Sequence, residues 1–122
     1  MTREAYITAV DAMADDVEQV AAELVANAVR HGGSGPVRTE VAWVPGGVVV
    51  CVFDACASPP IMREADPERE DGRGLVLVDE LTGSRWGYVL VPGGGKYVWA
   101  QLSLPAPCES AAPSLFAMPE EP

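Results

Sequence analysis

The sequence has few basic residues, one histidine and no long apolar run. Only 8 of its 122 residues are Lys or Arg, against 18 Asp or Glu, which gives a formal net charge of −10. A surface of this charge repels phosphate backbones, so we expect no direct nucleic-acid partner. The longest apolar runs, such as residues 47–53, are far shorter than the about 20 residues that span a bilayer. The first four residues also lack the features of a secretory signal, so we expect no membrane partner and a cytoplasmic location.

Cysteine is scarce as well. The three cysteines, at positions 51, 56 and 108, are an odd number without CxxC spacing. Neither a disulfide framework nor a zinc site is indicated. The chain does have enough apolar residues, 48% of the total, to bury the core of one domain.

The composition divides the chain at residue 104. Residues 105–122 hold five of the eleven prolines and no basic residue, which predicts a disordered acidic tail. A docking peptide built on Leu115 and Phe116 is the alternative for this tail. We expect residues 1–104 to form the folded domain.

Hydrophobic periodicity predicts a helix, a strand hairpin, a second helix and two more strands. The predicted bounds are helix 14–31, strand 37–44, strand 48–54, helix 74–81, strand 85–91 and strand 96–104. Residues 3–13 predict a short helix of their own, and the apolar strand 48–54 is typical of a strand buried on both faces. Residues 55–71 predict a solvated loop. Adjacent hairpins with helices on one face indicate an α+β two-layer sandwich with a mostly antiparallel sheet.

Three polar residues lie along one flank of the predicted helix 14–31. Glu23, Asn27 and His31 are spaced four residues apart, so each lies about 400° further round the helix and the three share one flank. A carboxylate and an amide in such a row can hold a divalent cation or place a base beside a nucleophile. A solvated flank, with the histidine complementing the helix dipole, is the better explanation of the row when it is taken alone.

Three further segments carry candidate residues. Asp54 closes an apolar strand, where it can accept a hydrogen bond from a ligand or simply cap a turn. The segment 71–75, with Gly72, Arg73 and Gly74, precedes a helix, and its backbone N–H groups are a candidate phosphate cradle. Lys96 follows three glycines and could neutralise phosphate, although a tight hairpin with an exposed lysine has the same pattern.

In this order, the four segments resemble the ATP-binding domains of the GHKL superfamily, the Bergerat fold of histidine kinases and gyrase. The sequence is most similar to the small single-domain anti-sigma-factor serine kinases of actinobacteria. ELVANAVRH at 23–31 resembles the N box, Asp54 with its loop the first glycine box, and GRGLVLV at 72–78 the second. Only 22 residues precede Glu23, so we expect a Bergerat fold without the first strand of its relatives. The exposed edge would favour a homodimer.

The resemblance implies a role for each matching residue. Glu23 would be the general base for a substrate serine, and Asn27 would hold the Mg²⁺ that bridges the ATP phosphates. Asp54 would accept from the adenine amino group. The remaining residues expected to contact the nucleotide are His31, Gly72, Arg73, Gly74 and Lys96.

The function implied is a serine/threonine protein kinase that regulates transcription. It would phosphorylate an anti-sigma-factor antagonist, bind a sigma factor, or both, with ATP and Mg²⁺ as cofactors. The alternative is a degenerate GHKL module that regulates through protein contacts without catalysis. The ATPase half of a larger signalling complex is a third hypothesis, for which the sequence offers no sensor region.

Overall fold

A computed structural model of the protein describes residues 2–60 and 73–104. These residues form two helices and four strands, and the element order agrees with the sequence prediction. The bounds are α1 Arg3–His31, β1 Arg38–Val44, β2 Gly47–Asp54, α2 Arg73–Thr82, β3 Trp86–Leu90 and β4 Lys96–Ser103. The predicted charged loop beyond residue 60 and the acidic tail lie outside the described residues.

Helix α1 is one continuous helix of 29 residues, so the separate short helix predicted for residues 3–13 is wrong. The Thr2 hydroxyl caps the start by accepting from the Ala5 N–H at 3.0 Å. No glycine or proline interrupts residues 3–31, and Tyr6, Met13 and Val20 continue one buried face. The helix ends as predicted, with Gly33 in the left-handed region at φ 80°.

The four strands form one antiparallel sheet in the order β1-β2-β4-β3. Strand β2 is an interior strand, but the prediction that it is buried on both faces is wrong. Its residues alternate between fully buried, such as Val50 and Val52, and half-buried, such as Cys51. Both helices cover the same face of the sheet, so only every second side chain of β2 reaches the core.

The core lies between the helix layer and the covered face of the sheet. Leu24 of α1 and Leu75 of α2 are almost completely buried there against valines of β2. Side chains of β4, such as Ala100, complete the layer. The architecture is the predicted α+β two-layer sandwich with an open antiparallel sheet. Among the described residues, no helix combines the length and apolarity needed to cross a bilayer.

Candidate functional site

Glu23 lies directly against the beginning of α2. Its side chain is half-buried, and a Cβ atom at Gly74 would collide with its carboxylate. A residue larger than glycine at position 74 would therefore force Glu23 to move. The structure thus brings the predicted carboxylate into contact with the predicted glycine segment, although 51 residues separate the two positions in sequence.

The other predicted positions near this contact lie along the two helices. Asn27 is half-buried one turn after Glu23, so it lies on the same flank of α1. His31 is exposed in the last turn of α1. Arg73 begins α2, whereas Gly72 lies outside the described residues. Glu23 and Gly74 are the members of the predicted set that the structure brings into contact, and Asn27 lies on the same flank of α1 as Glu23.

Asp54 forms a buried ion pair with Lys96. The Lys96 Nζ atom lies 2.9 Å from the Asp54 Oδ1 atom, and both side chains are at most 3% exposed. The two residues are direct neighbours in the β2–β4 register, which explains why their side chains meet. Lys96 was predicted to neutralise phosphate, and the contact that the structure gives it is with the predicted adenine acceptor. Its role toward phosphate stays a prediction.

The Asp54 carboxylate has a second fixed partner. The Cys56 N–H donates to Asp54 Oδ1 at 2.9 Å, and Lys96 Nζ also donates to the Cys56 carbonyl at 3.1 Å. Among the described residues, both bonds to the carboxylate end on Oδ1. Oδ2 is therefore the oxygen with capacity to accept from a ligand.

Two glycines bring the backbone close to Asp54. A Cβ atom at Gly32, just after α1, would lie 2.8 Å from the Asp54 Cβ atom. A Cβ atom at Gly95, just before β4, would lie 2.6 Å from the Asp54 carbonyl oxygen. Gly95 also has a φ of 89°, a conformation that side chains rarely tolerate. The end of α1 and the start of β4 therefore pack closely against Asp54.

Sequence reasoning did not anticipate the ion pair, although the alternation of β4 contains a signal for it. Val98, Ala100 and Leu102 are buried, so residue 96 must face the core as well. Tyr97 faces the side of the sheet without helices. There its hydroxyl accepts from Arg38 at 2.8 Å, and its ring centroid lies 5.3 Å from that of Phe53.

The two described cysteines differ in their thiol chemistry. The Ser58 N–H lies 3.5 Å from the Cys56 Sγ atom. Hydrogen bonding from Ser58 lowers the pKa of Cys56, and the positive charge of Lys96 acts in the same direction. Burial raises the pKa of Cys51, and the charge of Glu40 adds to this effect. Cys56 is therefore the more acidic thiol, and it lies beside the ion pair.

The described residues do not by themselves supply a full set of ligands for a metal ion. Within residues 2–60 and 73–104, no three His, Cys, Asp or Glu side chains cluster in a way that could hold a metal. Mg²⁺ is commonly held by one or two protein oxygens together with substrate phosphates. The Asn27 amide, one turn after the Glu23 carboxylate that contacts Gly74, fits such a shared site.

The protein combines an open antiparallel sheet, with both helices on one face, with polar contacts at Asp54 and at Glu23. The sequence matches the profile of the histidine kinase-like ATPase domain over residues 4–98. That range is most of the chain, so the protein belongs to this family and is a GHKL-type ATP-binding domain.

One solved structure that the fold resembles is the Acinetobacter baumannii histidine kinase AdeS, at 20% sequence identity and a TM-score of 0.49. The alignment covers 74% of this chain and 46% of that chain. The protein therefore spans about half the length of the solved structure it matches. A comparison with curated proteins gives no match.

Proposed function

We propose that the protein is an ATP-binding serine/threonine protein kinase of the anti-sigma-factor type. In this proposal it phosphorylates an anti-sigma-factor antagonist, binds a sigma factor, or both. Family membership supports ATP binding. The observation that carries the catalytic part is the contact between the Glu23 carboxylate and Gly74, because it places a potential base beside the segment proposed to bind phosphate.

Asp54 and its surroundings form the proposed base-binding end of the site. The carboxylate is 1% exposed and is held in one orientation by Lys96 and Cys56. A fixed acceptor of this kind suits an exocyclic amino group, since the orientation is set before the ligand arrives. Lys96 compensates the charge of this buried carboxylate.

The proposed phosphate end lies at the start of α2. Backbone N–H groups at a helix N-terminus favour anions, and Gly72, Arg73 and Gly74 would line the phosphates there. Asn27 would hold Mg²⁺, which supplies charge neutralisation for the phosphate oxygens when it is bound. His31, which is exposed, and Lys96 complete the set proposed to contact the nucleotide.

Glu23 is the proposed general base. It would accept the proton of a serine or threonine hydroxyl as that oxygen attacks the γ-phosphorus of ATP and the bond from this phosphorus to ADP breaks. Its side chain is half-buried and lies against the backbone at Gly74. Phosphoryl transfer depends mainly on positioning and charge, so a carboxylate one turn from the proposed metal ligand suits the role of base.

The experiment compares Glu23→Gln with the wild type and with Glu80→Gln as a matched control. Glu80 is exposed on α2 and takes no part in the proposed site. Calorimetric titration with ADP and ATP, with and without Mg²⁺, measures binding. Labelled ATP with candidate antagonists measures transfer. We expect Glu23→Gln to lose about 10²-fold or more in transfer and to keep nucleotide affinity, whereas Glu80→Gln matches the wild type.

The two measurements separate the parts of the proposal. Nucleotide binding without transfer to any antagonist would reject the kinase and leave an ATP-binding regulator. Absence of nucleotide binding in a folded protein would reject the whole proposal. Equal transfer by wild type and Glu23→Gln would remove Glu23 from the role of base.

A further inference from the structure

An apolar groove runs between the N-terminal half of α1 and the edge strand β1, and we call it the α1–β1 groove. Its cavity has a volume of about 300 Å³. The lining side chains are almost all apolar, among them Val10, Met13, Ala14, Val17, Val41 and Trp43. The groove lies away from Glu23 and Gly74, so it is separate from the site described above.

The groove lies where the helix layer leaves part of the sheet uncovered. Val41 and Trp43 lie opposite Val50 and Val48 in the β1–β2 register, so they belong to the face of the sheet that forms the core. Val50 and Val48 are buried beneath the helices, whereas Val41 and Trp43 are each 55% exposed. The helices cover β2, β4 and the beginning of β3 and leave β1 bare. Bulky apolar side chains on a core face that stays exposed mark an interaction surface.

A row of acidic residues on α1 borders the groove. Glu4, Asp11, Asp15 and Glu18 are all exposed and lie within about 60° of one another around the helix, beside Ala14 on the side away from the core. Their side chains make no hydrogen bond or ion pair with another described residue. Residues 4–29 contain six acidic residues and no Lys, Arg or His, so nothing on this stretch of α1 compensates the charge.

The charge of the groove decides which occupant fits. A second copy related by a twofold axis beside β1 would bring two acidic rows together, and like charges at close range oppose association. Residues 105–122 carry three glutamates and no basic residue, so they meet the same repulsion. A partner with an apolar face and basic flanks is complementary to the apolar lining of the groove and to the acidic row beside it.

We propose that the α1–β1 groove docks a basic amphipathic helix of a partner protein. The helix lies beside α1 over β1, inserts apolar side chains between Ala14 and Trp43, and places Lys or Arg residues along the acidic row. Helices bind apolar grooves in this manner through residues at i, i+3, i+4 and i+7. The proposal is independent of whether the protein binds ATP or transfers phosphate.

The probe is a fluorescein-labelled synthetic 18-residue helical peptide with leucines at i, i+3, i+4 and i+7 and lysines on both flanks, about five helical turns long. Its twin carries glutamate in place of every lysine. Fluorescence anisotropy with the full chain measures both affinities. We expect the lysine peptide to bind at least about tenfold more tightly than the glutamate twin, and the difference to shrink with added salt.

Two pairs of variants locate the binding site. Ala14→Gln fills the groove from an exposed position of α1, and Ala12→Gln is the matched control on the opposite side of the helix. Asp11→Asn with Asp15→Asn removes two charges of the row, and Asp16→Asn with Glu80→Gln removes two charges elsewhere. We expect about tenfold weaker binding for Ala14→Gln, several-fold weaker binding for the acidic-row pair, and no change for either control.

Other outcomes overturn the proposal. Equal binding of the two peptides, or equal effects of variants and controls, would show that the groove is not a site for basic helices. Light scattering that gives a dimer in the wild type and a monomer for Ala14→Gln would assign the groove to a second copy. Circular dichroism confirms that each variant is folded, and the exposed acidic-row pair tests the proposal even if Ala14→Gln unfolds.

Discussion

At the scale of single residues, Lys96 is the least conventional feature of the protein. An ammonium group that is 3% exposed persists in a core only when its charge is compensated. Asp54 supplies that compensation at 2.9 Å, and the Cys56 carbonyl accepts a further hydrogen bond. The same three residues fix the carboxylate that we propose as the acceptor for adenine, so stability and ligand recognition depend on one cluster.

Replacing Lys96 alone is predicted to destabilise the protein strongly. Lys96→Met leaves the Asp54 carboxylate buried without its countercharge, which costs about 3–5 kcal/mol. Urea unfolding measures the free energy of unfolding. The double variant Lys96→Met with Asp54→Asn removes both charges and is expected to recover most of the loss. A loss below about 1 kcal/mol for Lys96→Met would show that the buried pair is not required.

The two described cysteines are predicted to differ in reactivity. Hydrogen bonding from Ser58 lowers the pKa of Cys56, so its thiolate is present at a lower pH than that of an ordinary cysteine. Burial raises the pKa of Cys51, so its thiolate appears only at a higher pH. In a Cys108→Ser background at neutral pH, iodoacetamide should therefore modify Cys56 faster than Cys51. Mass spectrometry of the two peptides over time measures the rates, and faster modification of Cys51 would contradict the assignment.

At the scale of elements, α1 presents different chemistry on its two flanks. One flank carries Glu23 and Asn27 and contacts the start of α2. The other carries Val10 and Ala14, lines the α1–β1 groove and is bordered by the acidic row. A single helix without a break holds both flanks in fixed relation, because a continuous hydrogen-bonded ladder does not bend without a kink residue.

Gly74→Ala tests the junction between α1 and α2. The new methyl group would collide with the Glu23 carboxylate, which ends a flexible side chain and can rotate away. Alanine also favours the helix by up to about 1 kcal/mol over glycine. We therefore expect little change or a small gain in the free energy of unfolding, together with a large loss of phosphoryl transfer. Urea unfolding and the labelled-ATP assay measure the two quantities.

A control separates this effect from general damage. Gly83→Ala, placed after α2 where φ is 62°, introduces strain away from Glu23, so it should lower stability without a matching loss of transfer in the folded protein. Unimpaired transfer by Gly74→Ala would show that the observed position of the carboxylate is not needed.

At the scale of the whole molecule, the net charge of −10 works against the compact state. Repulsion between exposed carboxylates is screened by salt, whereas a buried pair such as Asp54 and Lys96 is screened much less. Raising NaCl from about 50 to about 500 mM, which shortens the screening length below about 10 Å, should therefore increase the free energy of unfolding. We expect a gain on the order of 1 kcal/mol, measured by urea unfolding at each concentration. The Asp11→Asn and Asp15→Asn pair should gain less, and a loss of stability with salt would mean that attractive surface pairs dominate.

The sequence predicted the elements and their class because local signals for both are strong. Apolar residues at helical spacing defined the second half of α1, and Gly32 with Gly33 defined its end. The boundary predicted at residue 13 was wrong, although Tyr6, Val10 and Met13 continue the helical spacing of Val17 and Val20 and no glycine or proline separates them. The burial of β2 was overestimated from its nearly continuous apolar sequence, whereas the two-layer architecture covers only one face of the sheet.

The residues that could form a site were also visible in the sequence, since Glu23, Asn27 and Asp54 stand out by type and spacing. Their arrangement was decided by tertiary structure. Two of the features join segments that lie far apart along the chain: the contact of Glu23 with Gly74 and the pairing of Asp54 with Lys96. The exposure of the core face of β1 likewise depends on where the helices pack on the sheet. Spacing in sequence fixes which side chains share a helix flank or a strand face, whereas contacts between elements depend on how the sheet registers and how the helices pack on it.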